Sequence, residues 1–297
     1  MIDLSKMTTE RENPETTNFS ALSIRDAMNA MNREDAHAVE CIKEQFDMIE
    51  RVIEVTSSAL ENGGRIIYMG AGTSGRIGLL DAVECPPTFG VDYNTVVGLI
   101  AGGDNAFVKA VEGAEDSMES GKTDLQKIDL HMHDVVIGIA ASGRTPYVIG
   151  GLEYAKSIGV KTCAIVCNKD SEIKKACKLT IEVEPGPEVL TGSTRLKAGT
   201  VTKLICNMIS TISMIRIGKI YKNYMVDVKM SNEKLVTRGT NIVCNVTGCD
   251  RASAQAALKG SEGGVRIAIV MILLKCTKEE ACKALETAHG RIHDLVD

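Results

Sequence analysis

The chain of 297 residues contains no tryptophan, and aromatic residues make up only 3% of it. That removes the stacking platforms on which single-stranded nucleic acid is usually held. There is no basic excess either: 34 Lys and Arg stand against 39 Asp and Glu, a formal net charge of -5. An acidic balance does not attract a polyphosphate, so no nucleic-acid partner is expected. Long apolar runs are missing too. The longest, residues 267–274, falls far short of the roughly 20 residues that span a bilayer. The N-terminal MIDLSKMTTERENPET lacks the apolar stretch of a secretion signal. No membrane span and a cytoplasmic location are therefore expected. Ten cysteines are present without a CxxC pair, and several, such as Cys163 and Cys206, interrupt apolar runs as small core hydrophobes. This usage reads as a reduced compartment rather than a disulfide framework.

What is there is an ordinary globular composition, 44% hydrophobic and 25% charged. From residue 32, Val39, Ile42, Phe46, Ile49 and Ile53 recur at three and four residues, predicting one long packing helix that ends at Gly63-Gly64. RIIYMG (65–70), NTVVGLIAGG (94–103), DVVIGIA (134–140), KTCAIVCN (161–168) and LTIEV (179–183) then read as strands buried on both faces. Helical segments between them make a βαβ succession, an α/β fold with a parallel sheet flanked by helices. A long apolar helix is predicted over about 195–221. From about Thr247 come three short helical units, one opened by Asp250, one over 267–274, and one between the capping box Thr277-Lys-Glu-Glu280 and Gly290. The expected organisation is a sheet domain over 1–240 and a small helical module over 241–297.

Three loops rich in hydroxyls stand out. GAGTSG (70–75) follows a strand and opens a helix, formally a dinucleotide GxGxxG. The acidic residue that would hold a ribose is absent from the end of the next strand, which lowers that reading. The Ser/Thr-Gly-Arg turn recurs at ASGRTP (141–146), and TGSTRLK (191–197) precedes the next long helix. In a parallel sheet such loops gather at one edge, where hydroxyls and helix N-terminal amides can cradle a phosphate. Thr73, Ser74, Gly75, Arg76, Ser142, Gly143, Arg144, Thr145, Ser193, Thr194 and Lys197 are the candidate phosphate residues, with Arg195 as further charge. Any one loop alone reads as a helix cap; three in matching contexts favour phosphate. Without a P-loop lysine motif, a phosphosugar fits better than a nucleoside triphosphate.

Two glutamates have a chemical reading beside an ordinary one. If 107–120 is a helix, Phe107, Val111, Ala114 and Met118 form an apolar arc that includes Glu115, and a carboxylate there is desolvated into a usable base. The alternative, an acid at the edge of a solvated charge run, stands level with it. Glu84 is expected at the end of a helix broken by Pro86 and Pro87, where the negative dipole end suits a general acid. An exposed helix-end glutamate is the more ordinary reading of that position. His131 with His133, and His289 with His293, lack further ligands nearby, so no metal site is expected.

MGAGTSGRIGLLDAVECPPTFG (69–90), KAVEGAEDS (109–117), AASGRTPYVIGGLEYA (140–155), EVLTGSTRLKAGT (188–200) and MVDV (225–228) together resemble the N-acetylmuramic acid 6-phosphate etherase family. Those enzymes are built on the sugar isomerase (SIS) domain and related to glucokinase regulatory protein. The likeness runs from TERENPET into the C-terminal helices. It implies a carbon-oxygen lyase acting on a phosphosugar, without cofactor, as a homodimer with a ubiquitin-associated-like C-terminal module. It also gives Glu84 the role of acid and makes Glu115 the second catalytic glutamate, reversing the ordinary reading of Glu84. A phosphosugar isomerase would share the loops without needing an acid at Glu84, and a non-catalytic sugar-phosphate sensor would need neither glutamate.

Overall fold

Each of the five apolar runs is a strand in a computed structural model, which describes residues 7–228, 230 and 232–296. They are β1 (Ile66–Gly70), β2 (Val96–Ile100), β3 (Val135–Ile139), β4 (Lys161–Val166) and β5 (Leu179–Glu182). All pair in parallel, in the order β2-β1-β3-β4-β5. β1 and β3 are buried along their whole length, as strands without polar alternation must be. Helices α1 (Ile24–Cys41), α2 (Phe46–Glu61), α3 (Gly72–Phe89), α4 (Asn105–Val108), α5 (Met118–Lys127), α6 (Pro146–Ser157) and α7 (Lys197–Arg216) surround and connect them. A short antiparallel pair, β6 (Ile220–Tyr221) and β7 (Tyr224–Met225), precedes α8 (Glu233–Thr247), α9 (Arg251–Gly260), α10 (Val265–Leu274), α11 (Lys278–Thr287) and α12 (His293–Val296).

The chain divides into two compact units. One comprises Met1–Val83 and Asn94–Ser210, and its core gathers Ile67, Met69, Val136, Leu152 and Val166. The other comprises Glu84–Tyr93 and Thr211–Asp297, and packs Val226, Val243, Leu258, Ile269 and Leu285. In the latter the expected caps are in place. Asp250 accepts the Ser253 N–H at 2.7 Å, and Thr277 and Glu280 exchange both bonds of the capping box.

Three expected helices differ from those observed. The first begins at Ile24, capped by Ser23, and is separated from α2 by a 3-10 stretch, Ile42–Gln45. Its buried positions are Ala30 and Ala38, so the large apolar residues used to find it begin too late. The prolines do not end α3: the helix runs through Pro86 and Pro87 to Phe89, and Gly90 terminates it with φ +66°. Proline keeps a helix-compatible φ near −65°, and here the missing N–H donors of Pro86 and Pro87 do not stop the last turn. The predicted helix over 107–120 is broken. A left-handed Gly113 opens a 3-10 turn, Ala114–Asp116, and extended Ser117 caps α5 anew. α7 has the length and composition to cross a membrane. It buries Val201, Ile205, Cys206 and Ile209 completely, the pattern of a core helix.

Candidate active site

In a doubly wound sheet of this order the strand order reverses between β1 and β3, and ligands bind outside the strand C-termini at that point. The register pairs Gly70 with Ile139, so the loops after β1 and β3 leave the sheet side by side. The third loop reaches the first: a Cβ on Gly199 would lie 3.5 Å from Thr73 Cγ2 and 3.6 Å from the Thr194 carbonyl oxygen. The three hydroxyl-rich loops therefore lie along one edge, in the sheet-bearing unit.

Close backbone packing explains the glycines of the first loop. A Cβ on Gly75 would come 2.7 Å from the Gly70 carbonyl oxygen and 2.7 Å from Ile100 Cγ1. Strand and helix can meet so tightly only without side chains there. The Gly75 N–H is turned into the helix, donating to Ala71 at 3.2 Å. Thr73 and Ser74 remain half-buried in the first turn, where amides have no carbonyl four residues back. In the second loop Gly143 takes φ +66°, and its N–H closes a turn onto Ala140 at 2.8 Å. Thr145 caps α6 by position but makes no side-chain cap bond, so its hydroxyl is not committed to the helix end. Ser142 and Arg144 line a cavity of about 300 Å³ that also includes Asn168, Lys169 and Ser171.

The expected cations do not all join these hydroxyls. Arg76 donates to the carbonyls of Phe107 and Ala106, both at 2.8 Å, and so ties α3 to the segment leading to Glu115. Arg144 pairs with Glu172 at 3.2 Å. Lys197 is 1% exposed, its ammonium held by Glu34. The α7 N-terminus is likewise engaged: the Glu188 carboxylate accepts the N–H of Lys197 at 3.0 Å and of Ala198 at 2.9 Å, and Thr194 takes that of Gly199. The third loop thus offers the Ser193 and Thr194 hydroxyls rather than a helix end or an ammonium. Arg195 is exposed.

Glu115 is exposed on its 3-10 turn, so the burial expected from a helical arc is not found; Phe107, Val111 and Met118 are exposed as well. The turn packs against α6, whose first residues follow the second loop. Glu84 is exposed on α3, five residues before the last one, and not at the helix end.

Sequence reasoning missed three polar residues that brace this edge, Asn13, Glu34 and Glu188, and a fourth, Asp81, which joins α3 to α7. Glu188 is 1% exposed. Burial raises its carboxyl against the opposing pull of the two amides. Burial also works against the charge on Glu34, but hydrogen bonds from Lys197 and Asn13 outweigh it and hold the carboxyl below its usual range. Asp81, on α3, accepts the Ser210 hydroxyl at 3.0 Å, and burial pushes its carboxyl up to about 6 against the opposing pull of Ser210 and Tyr68. The one signal available was a charged residue inside a quoted run, Glu188 in EVLTGSTRLKAGT and Asp81 in GLLDAVE.

Comparison with known proteins agrees with this fold. Residues 47–156 match the glucokinase regulatory protein N-terminal SIS domain, 117–212 the SIS domain, and 222–262 the C-terminal lid domain of glucokinase regulatory protein. An N-acetylmuramic acid 6-phosphate etherase of Francisella tularensis subsp. holarctica is 58% identical over 289 residues, 97% of this chain and 98% of that protein. The enzymes of the same name from Bacillus mycoides and an Exiguobacterium species are 54% identical over 97% of the chain and 52% identical over 99%, covering 98% and 100% of those proteins. Among solved structures, phosphoheptose isomerase GmhA from Neisseria gonorrhoeae superposes with TM-score 0.51 at 18% identity, covering 64% of this chain and 99% of that one. A phosphoheptose isomerase from Francisella tularensis gives 0.50 at 17%, over 65% and 100%. These two share the fold.

Proposed function

The chain belongs to the N-acetylmuramic acid 6-phosphate etherase family, and from that premise we propose that it cleaves the D-lactyl ether of N-acetylmuramic acid 6-phosphate, giving N-acetylglucosamine 6-phosphate and D-lactate. The observation that carries this reading is the high identity to etherases over nearly the whole chain, with hydroxyl-rich loops gathered at the β1/β3 switch point.

In the open-chain sugar the C1 aldehyde acidifies the C2 proton, and the lactyl ether at C3 is a β leaving group. Glu115 is the base we assign to the C2 proton. Glu84 is the acid for the departing lactate oxygen, because an unassisted alkoxide leaves poorly. Water then adds at C3 of the unsaturated aldehyde. The proton removed and the proton delivered balance, and acid–base groups suffice for every step. Phosphate held by the hydroxyls of Thr73, Ser74, Ser142, Thr145, Ser193 and Thr194 supplies remote binding energy that aligns C2 and C3. The Arg76 and Lys197 contacts support a phosphate site built mainly of neutral donors.

We further read the protein as a cytoplasmic homodimer. The ten cysteines are all free thiols, suited to a reducing compartment. Leu80 and Val83 stand 45% and 48% exposed, one turn apart on α3, an apolar pair suited to a second copy.

The test is an endpoint assay with the purified protein, N-acetylmuramic acid 6-phosphate and 18O-labelled water. D-lactate, with the label at C3 of N-acetylglucosamine 6-phosphate, is the expected result. Failure to form lactate while the sugar phosphate still binds would overturn the lyase reading.

A further inference from the structure

The segment TERENPET takes no part in the proposed chemistry, yet it buries polar side chains at the loop edge of the sheet unit. Thr9, Asn13 and Thr16 are 0%, 3% and 8% exposed. Each is bonded to the edge. The Thr9 N–H donates to Asn168 Oδ1 at 3.4 Å, and Asn168 Nδ2 donates to the Thr9 hydroxyl and to the Ala141 carbonyl beside Ser142, both at 3.0 Å. The Thr16 hydroxyl donates to the Val189 carbonyl at 3.1 Å.

Asn13 is the keystone. Its Nδ2 donates to Glu34 Oε2 at 2.8 Å and to the Pro187 carbonyl at 3.1 Å, while its Oδ1 accepts the Glu15 N–H at 2.9 Å. The same Glu34 oxygen holds the Lys197 ammonium, and the Lys197 N–H goes to Glu188, the neighbour of Pro187. The bonds close a ring: Asn13, Glu34, Lys197, Glu188 and back through Pro187. Residues 187 and 197 bound the third loop, so Asn13 holds one of its ends directly, at Pro187, and the other through Glu34, at Lys197. Only an uncharged amide supplies two donors and an acceptor here; a carboxylate would present a second negative charge to Glu34 and nothing to Pro187.

We propose that Asn13 is a positioning residue for substrate binding, acting through the third loop by holding both of its ends so that Ser193 and Thr194 face the phosphate. This rests on the phosphate reading of that loop. The helix end and the Lys197 ammonium of this loop are already engaged and Arg195 is exposed, so Ser193 and Thr194 are the half-buried groups left to it, and hydroxyls bind well only when fixed in direction.

The test is a double-mutant cycle on the full chain with N-acetylmuramic acid 6-phosphate, using Asn13→Ala, Ser193→Ala with Thr194→Ala, and the three together. Asn13→Ala is expected to raise KM about tenfold with kcat within about threefold, the signature of lost uniform binding. In the background without loop hydroxyls its effect should shrink to about twofold or less. Multiplying effects, an unchanged KM, or equal loss in kcat and KM would overturn the proposal. If Ser193→Ala with Thr194→Ala leaves KM unchanged, the phosphate reading of the loop fails, and the proposal that Asn13 acts on binding through it falls with it. Amide hydrogen exchange of peptide 190–196 separates the two failures. Asn13→Ala should speed that exchange about tenfold while strand peptides stay unchanged, and an unchanged rate would show that Asn13 does not hold the loop at all. Asn13→Ser, which keeps a capping oxygen for the Glu15 N–H and adds no charge beside Glu34, carries the same measurements should the alanine variant fail to fold.

Discussion

The Arg76 guanidinium donates from Nε to the Phe107 carbonyl at 2.8 Å, so a residue of the first hydroxyl-rich loop anchors the segment that leads to Glu115. Its Nη2 takes the Ala106 carbonyl as well, closing the last turn of α4. Arg76→Ala should therefore misplace Glu115 more than it weakens phosphate binding. The expected outcome is kcat lowered about 10–100-fold with KM changed less than about threefold, since small misplacements of a reacting group are costly. Steady-state kinetics decides the matter: a rise in KM alone would return Arg76 to the phosphate.

The two glutamates should separate by isotope. With Glu115 as the base, Glu115→Gln in D2O stops deuterium entering C2 along with lactate release. Glu84→Gln should lower lactate release about 10²–10⁴-fold while C2 exchange of unreacted substrate survives, because the acid acts on the leaving oxygen. Mass analysis of recovered sugar reads both. Exchange abolished equally in both variants would mean that the assigned division of labour is wrong.

The strands were legible because a parallel sheet covered on both faces demands unbroken apolar runs, and RIIYMG and DVVIGIA leave no other reading. The loops were legible through repetition. What stayed hidden is tertiary. Periodicity over 107–120 imitates a helix, but Gly113 with φ +72° and the Ser117 cap break it, so Glu115 owes its place to the turn against α6 and not to an arc. Lys197 looked like a phosphate ligand because nothing local reveals that Glu34, 163 residues away, claims it. Asn13 was equally opaque, since its partners lie 21 and 174 residues away.

Asp81 gives a pH prediction. Its carboxyl rises from 3.8 to about 6, burial being the main cause, so the folded state binds the proton more tightly than the unfolded chain. The associated stability is complete below pH about 3.8 and is lost as pH rises through about 6, a fall on the order of 3 kcal/mol. Urea unfolding of the protein and of Asp81→Asn at pH 4.5 and pH 7 isolates it. The variant should gain on the parent between the two pH values, and parallel behaviour would contradict the assignment.

Light scattering checks the dimer. The measured mass should be twice 31.9 kDa, and Leu80→Glu with Val83→Glu should bring it toward one chain by placing charge in an apolar contact. These residues are exposed within the chain, so the variant should remain folded by circular dichroism.

The Lys197–Glu34 pair separates stability from binding. Lys197 is 1% exposed and Glu34 19%, so removing one partner leaves a largely desolvated charge. Lys197→Met should destabilise by about 3 kcal/mol, the low end for a broken buried pair because Glu34 keeps some water. Replacing both, Lys197→Met with Glu34→Leu, should recover most of that loss, since apolar groups of similar volume satisfy each other. Full recovery is not expected: one Asn13 N–H would remain without an acceptor, a deficit of about 1 kcal/mol. KM for the phosphosugar should stay raised in the double variant, because the ring that holds the third loop is open even when the core is sound. A KM restored together with stability would mean that the pair serves folding alone and that the loop keeps its place without it.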